Sequence, residues 1–327
     1  MLIIFLFAGM SLTALLFGIS CSNQTPNSAF VAPLQTVSAK NPPWTATLTF
    51  TPTPTPTFTP TIVPYSTPIT GFNAPKALAI DSKNNVYVGD TGNNLIKQFI
   101  GGYQNTNWPS GKIKSNGLAY TLPKAIAVDS SGNLYVVGAG ITVVSKYDTF
   151  GNYVTQYTAN SSLSTNLLGL AVNSTATVLY VSDSGNSRIM SIVLPGGASS
   201  VFKGSLSFTP YGLAVDSLGN LYVAGSDNSV HSYTSAGLAG TPVSVPGFNA
   251  PYAVALDANN NLYVSDTQNG QIEEFAVGNY SSSPVNIIGK GSLVNPEGIA
   301  LDSSANVYVV DSGNSELFQF PQGTMKR

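Results

Sequence analysis

The sequence predicts an all-β fold made of six copies of one small antiparallel sheet, and three observations carry that prediction. A five-residue strand motif recurs: Ala-Leu-Ala-Ile-Asp begins at 77, Ala-Ile-Ala-Val-Asp at 125, Gly-Leu-Ala-Val-Asn at 169, Gly-Leu-Ala-Val-Asp at 212, Ala-Val-Ala-Leu-Asp at 253 and Gly-Ile-Ala-Leu-Asp at 298. Each copy is followed by a second strand centred on tyrosine: Tyr87, Tyr135, Tyr180, Tyr222, Tyr263 and Tyr308. The steps between these tyrosines are 48, 45, 42, 41 and 45 residues, enough for four strands per copy. A period of this length means small sheets stacked radially or as a solenoid. The repeats span 66–320 of the 327 residues, a length that suits one all-β domain and buries a core without disulfide or metal staples.

Before the repeats lie two other kinds of sequence. Residues 2–20 are apolar or small, and Cys21, the only cysteine, follows at once. An apolar run ending in small residues reads as a secretion signal. Phe-Gly-Ile-Ser-Cys (17–21) resembles the bacterial lipoprotein signal, in which the cysteine is acylated and becomes the new N-terminus. Gly18 stands where that signal usually has leucine, and no Lys or Arg precedes the run. The alternative is an uncleaved transmembrane helix, because ~20 apolar residues can span a bilayer. Both readings place the remaining chain outside the cell, tethered to the bacterial membrane or cell surface. Residues 22–65 include Thr-Pro-Thr-Pro-Thr-Pro-Thr-Phe-Thr-Pro-Thr (51–61). Proline locks φ and removes backbone donors, so this segment is expected to be an extended, flexible stalk rather than a folded domain. Residues 321–327 are a short C-terminal tail.

Charge narrows the partners. Only 9% of residues are charged, against ~25% in an average soluble protein. With 13 Lys+Arg and 15 Asp+Glu there is no basic stripe of the kind nucleic acid requires. The expected partners are a protein, a glycan or a small molecule, and the membrane through the N-terminal lipid anchor.

Within each repeat the first strand alternates small and large residues. Its third position is always alanine (Ala79, Ala127, Ala171, Ala214, Ala255, Ala300), its first is Gly or Ala, and its second and fourth are Leu, Ile or Val. Both faces are apolar, so both are buried. Strands that converge on an axis are crowded on one face and pack bulk on the other, which is the geometry of an innermost propeller strand. The tyrosines should fill the space between sheets, each hydroxyl needing a fixed partner. The Asp that ends the first strand sits in runs such as Asp-Ser-Lys-Asn-Asn (81–85) and Asp-Ser-Ser-Gly-Asn (129–133), which read as tight hairpins. Asp-Thr-Gly-Asn-Asn (90–94), Asp-Ser-Gly-Asn-Ser (183–187, 311–315) and Asp-Thr-Gln-Asn-Gly (266–270) follow the second strand. Calcium uses such oxygens, but each loop supplies one carboxylate, and a turn is the better reading.

The full pattern, Pro-x-Gly/Ala-aliphatic-Ala-aliphatic-Asp through Tyr-Val-x-Asp-Ser-Gly-Asn, resembles the NHL repeat over residues 66–320. One departure is that the family's Arg after the turn is present only at Arg188. The resemblance implies a six-bladed β-propeller of four-stranded antiparallel blades. The last copy ends at Phe320, too early for a fourth strand, whereas Pro-Ile-Thr-Gly-Phe-Asn-Ala-Pro (68–75) parallels Val-Ser-Val-Pro-Gly-Phe-Asn-Ala-Pro (243–251). Residues near 66–70 are therefore expected to be an N-terminal strand that closes blade six, and 243–251 to hold the fourth strand of blade four. Closing the ring removes sheet edges.

Ligand sites in such propellers lie around the axis, at the loops entering the first strand. The residues there are Lys76, Lys124, Leu168, Tyr211, Tyr252 and Glu297. Unlike the framework they differ from copy to copy. Two lysines suit an anionic group and two tyrosines offer stacking faces, while Glu297 and Lys76 on neighbouring blades are also placed for an exposed ion pair. These six are the candidate ligand-binding residues of a binding or sensing module at the cell envelope. The alternative is a calcium-dependent hydrolase or lactonase with its site in the central channel, since Pro-Glu-Gly at 296–298 is similar to the first metal ligand of six-bladed lactonases. Related lyases use several histidines; this chain has only His231, on the third strand of blade four, so a multi-histidine metal site is excluded. No nucleophile–base pair is evident, and no catalytic residue is assigned. The long loop 101–111 carries Tyr103 and Trp108, aromatics that either contact a partner or carbohydrate or fold back on their own blade.

Overall fold

A computed structural model describes residues 2–8, 11–17, 62–63, 67–108, 114–115, 118–119, 122–158, 162–240 and 247–322. Between residues 77 and 320 the described strands form six blade sheets in chain order, one per repeat, and a two-stranded ribbon of Lys114–Ser115 with Leu118–Ala119. Blade one comprises Ala77–Ile80, Val86–Asp90, Leu95–Ile100 and Tyr103–Gln104. Blades two (from Pro123–Val128) and three (from Leu167–Val172) also show four strands in sequential order. Blade four opens with Pro210–Val215 and blade six with Pro296–Leu301, and each shows three strands among the described residues. Of the segment 243–251 expected to hold the fourth strand of blade four, residues 243–246 lie outside the described residues, 247–250 form no strand, and Pro251 already begins blade five. Blade five, from Pro251–Leu256, has four strands and gains Ile62–Val63, which run parallel to Ile287–Ile288 at its outer edge.

The small-large alternation sorts the two faces of each inner strand between the two neighbouring blades. Ala77 and Ala79 pack with Tyr87 against Ile126, Leu134 and Val136 of blade two, whereas Leu78 faces Val310 and Leu317 of blade six. The same division recurs around the ring, giving six inter-blade cores. Register explains the invariant alanine. Ala79, Ala127, Ala171, Ala214, Ala255 and Ala300 each lie directly opposite the repeat's tyrosine on the second strand. The small residue leaves room for the ring in the narrow part of the wedge. Crowding toward the axis shows most clearly at Gly169, where an added Cβ would lie 2.2 Å from the carbonyl oxygen of Tyr211 on the next blade.

The aspartates do local work, as their turn chemistry implies. Asp81 Oδ1 accepts from the backbone N–H of Lys83 and Asn85, both at 2.9 Å, while Oδ2 accepts from Asn85 Nδ2 and the Tyr87 hydroxyl. Asp129 and Asp302 repeat this arrangement, including the bond from Tyr135 or Tyr308. In blades one, two and six the repeated tyrosine therefore gains its polar partner from its own hairpin. Burial is the main reason the Tyr87 and Tyr308 phenols are pushed up to about 12.

Blade six meets blade one through Leu78, Val86, Val88, Val310 and Leu317. At the outer edge of blade six, Ile69 and Leu317 exchange two backbone hydrogen bonds of 2.9 Å each. This is a single bridge where a closing strand was expected. Removing residues 62–70 is expected to lower the thermal midpoint by several degrees, because it strips that bridge, the Ile69 contact and the outer pairing on blade five. An unchanged melting curve would show that the ring holds without them.

The N-terminal unit is separate from the propeller unit. In it, Leu2–Ala8 pairs antiparallel with Ser11–Phe17. No helix among the described residues is long and apolar enough to cross a membrane. Cys21 and all but Ile62–Val63 of the 22–65 stalk lie outside the described residues.

Candidate functional site

Four of the six loops that carry the variable residues are clamped by the aspartate ending the second strand of their own blade; the second strands of blades two and four end in Gly138 and Gly225 instead. Asp90 Oδ1 accepts the N–H of Asn73, Asp183 that of Ser164, Asp266 that of Asn249, and Asp311 that of Asn295, at 2.7–3.0 Å. The asparagine three residues later, Asn93, Asn186 or Asn269, donates to the other carboxylate oxygen. These four aspartates are fully buried. The hydroxyl next to three of them completes the placement: Thr91, Ser184 and Thr267 donate to the carbonyls of Pro123, Pro210 and Pro296 on the following blade at 2.6–2.7 Å. Those prolines immediately precede Lys124, Tyr211 and Glu297, so the repeated Asp-Ser/Thr pair fixes the residues that vary. The sequence signal for this latch is the hydroxyl residue after Asp, which turn reasoning alone does not single out.

Four of the predicted residues, Lys76, Lys124, Leu168 and Tyr252, line a narrow axial cavity of about 60 Å³ walled by the inner strands. That volume admits a few waters and no organic ligand. Glu297 and Tyr211 join the group through direct contacts. Lys76 Nζ donates to both carboxylate oxygens of Glu297, at 2.5 and 2.6 Å. Ser312 adds a bond of 2.7 Å to the same carboxylate. The pair is partly buried, Glu297 being 7% exposed, rather than the exposed contact expected from sequence. Tyr211 stacks on Tyr252 at 5.5 Å between centroids and 22° between planes, and Lys76 Nζ lies 6.0 Å from the Tyr252 ring.

Lys124 is the exception in this ring. It is half-buried and has no hydrogen-bond or ion-pair partner among the described residues. Burial, and then the charge of Lys76, hold its ammonium below the ordinary 10.5, with Glu297 opposing. The Tyr252 phenol is pushed up, first by burial and then by the charge of Glu297. The mouth is thus one neutralised ion pair, one cation with no direct partner among the described residues, a two-tyrosine stack and the aliphatic Leu168. Of the two lysines expected to meet an anion, one is already engaged.

Elsewhere the structure separates what sequence left ambiguous. His231 stacks flat on Phe208 at 3.9 Å and bonds Asp227 at 3.0 Å, away from the mouth residues, on the third strand of its blade. Trp108 folds back: it is 4% exposed and packs edge-on against Tyr87, whereas Tyr103 is 82% exposed. Among the described residues no group of three or more His, Cys, Asp and Glu could hold a metal ion. The calcium of a lactonase-type channel would need a carboxylate free at the mouth, and Glu297 is held by Lys76 and Ser312. The donor set does not fit that ion.

Comparison with known proteins agrees with this architecture. The model for the NHL repeat matches residues 72–99 and 293–320, which lie in blades one and six. The model described as Beta-propeller repeat, SBBP, matches residues 204–229 in blade four. The chain is thus a six-bladed β-propeller with antiparallel blades, two of which match the NHL repeat model. No curated protein sequence matches it. Among solved structures it is similar to a catalytically inactive histidine-to-alanine variant of virginiamycin B lyase from Staphylococcus aureus, crystallised with quinupristin. That likeness has a TM-score of 0.56 and 16% identity, and it covers 79% of this chain and 99% of the lyase chain. It bears on the fold alone.

Proposed function

We propose that the chain is an exported, membrane-tethered propeller that binds a small anionic ligand at the channel mouth, as a binding or sensing module of the cell envelope. Export and tethering rest on the apolar run 2–20 and Cys21. The single observation that carries the ligand reading is Lys124. A half-buried ammonium with no directly bonded partner among the described residues is costly, because the one nearby carboxylate, Glu297, is taken up by Lys76. An incoming carboxylate or phosphate oxygen relieves that cost. The Tyr211–Tyr252 stack and Leu168 offer an apolar wall beside it, which suits an anion carrying a ring. Catalysis draws no support from the mouth: its one carboxylate is paired, and His231 stands elsewhere.

A thermal-shift screen of the full chain with benzoate, 4-hydroxyphenylacetate, indole-3-acetate and phenyl phosphate, with and without calcium, tests this reading. At least one anion should raise the midpoint independently of calcium, since ligand binding to the native state alone stabilises it. Lys124→Ala should abolish the shift while leaving the unliganded midpoint nearly unchanged. A shift that survives Lys124→Ala, or one that appears only with calcium and disappears in Glu297→Gln, would reject the mouth as described.

A further inference from the structure

The opposite face of the propeller carries a larger cleft that the mouth does not use. It lies between blades one and two, has a volume of about 480 Å³, and is lined by the first hairpins of both blades, by Asn105–Trp108 and by Phe150. That volume falls within the ~300–1,000 Å³ of small-molecule sites. From these observations we infer that this cleft is a binding site for a neutral oligosaccharide.

Three features point to that chemistry. First, the floor is held in place by a polar relay. Asn105 Nδ2 donates to Gln98 Oε1 at 2.7 Å, Gln98 Nε2 to the Tyr87 hydroxyl at 2.8 Å, and that hydroxyl to Asp81 at 3.1 Å. Second, above this floor the side chains of Asn107, Ser82, Ser130 and Ser131 line the cleft and have no hydrogen-bond partner among the described residues. Amides and hydroxyls of this kind match the paired donors and acceptors of vicinal sugar hydroxyls. Third, the apolar rim is unusually open: Phe150 is 74% exposed and Ile100 50%, beside the buried Trp108. An exposed aromatic face next to free amides is a platform for a sugar ring, whose C–H face is apolar and whose edge is polar. The charged lining residues are Asp81, whose carboxylate is taken up by its own turn, and Lys83, of opposite sign. A neutral ligand therefore fits better than an ionic one. The insertion that makes the first tyrosine step the longest, 48 residues, contributes one wall.

The test uses the full chain with chitotetraose, cellotetraose, maltotetraose and mannotetraose, followed by calorimetry. Tryptophan emission in a Trp44→Phe background follows the same binding, because the chain has only two tryptophans and the other is Trp108. At least one tetrasaccharide should bind, quenching or shifting the Trp108 emission. Phe150→Ala and Ser131→Trp, both at exposed positions and compatible with folding, should each weaken binding about tenfold or more. Lys124→Ala should leave it unchanged, which separates this cleft from the mouth. Failure of all four sugars to bind the wild-type chain, or equal binding by both cleft variants, would overturn the inference.

Discussion

Replacing Asp183 with alanine is expected to destabilise the propeller by about 3–5 kcal/mol, the usual cost of removing one partner from a buried ion pair. Asp183 is fully buried, and its carboxylate accepts from Arg188 Nε at 2.7 Å, Asn186 Nδ2 at 2.8 Å and the Ser164 N–H at 2.9 Å. Alanine leaves all three donors unmet and Arg188 without this partner. Burial pushes the Asp183 carboxyl up, but bonds from Ser164, Asn186 and Arg188 outweigh it and hold the group below 3.8. A depressed acid contributes stability above its unfolded value and loses it as pH falls through the folded one. The deficit of Asp183→Ala should therefore be full at neutral pH and shrink in acid. Urea unfolding at pH 7 and pH 3 measures it; a deficit under 1 kcal/mol at pH 7 would mean that the clamp contributes little.

The opposite sign is expected one blade pair further on. In blade five the buried Asp266 faces Glu273 and Gln271 where blade one sets Lys97 against Asp90, at 2.7 Å. Burial pushes the Glu273 carboxyl up to about 7, the Asp266 charge adds to this, and the bond from Gln271 opposes it. The folded chain then holds a proton that the unfolded chain has lost from about pH 4.5 upward. Stability must fall as pH rises from about 4.5 to about 7, and the loss stays in place above that. Glu273→Gln removes the titrating group while keeping its shape. It should match wild type near pH 4, exceed it by roughly 1–3 kcal/mol at pH 8, and flatten the profile between. A variant less stable than wild type at pH 8 would show that the carboxylate is compensated by a partner outside this pair.

Most of the ring was legible in sequence because its determinants are local and repeated. The Gly/Ala-aliphatic-Ala-aliphatic-Asp strand, the central tyrosine and the Asp-initiated hairpin each follow from packing within one repeat, and repetition multiplied a weak signal six times. The mouth was legible as a set of positions but not as a charge distribution. Lys76 and Glu297 are 221 residues apart and meet only because the ring brings blade six beside blade one, which is what leaves Lys124 alone. The hydroxyl latches from Thr91, Ser184 and Thr267 depend on the same inter-blade geometry. The cleft around Phe150 was legible only in pieces: the Asp-initiated hairpins and the 101–111 loop stand out in sequence, but nothing local says that two neighbouring blades bring them to one pocket. Nor did the alternation itself say which face of an inner strand meets which neighbour; the opposition of Ala79 and Tyr87 across the register decides that.

The central claim, that function resides where the repeats disagree, rests most directly on the state of Lys124. Reductive methylation with ¹³C-formaldehyde gives each lysine a resolved NMR signal, and Lys124→Arg assigns this one. Its titration should lie below the ordinary 10.5, shift further down in Glu297→Gln because a favourable charge is lost, and rise when an anion binds. A Lys124 that titrates at or above 10.5 without ligand would contradict a half-buried cation that lacks a direct partner at the mouth.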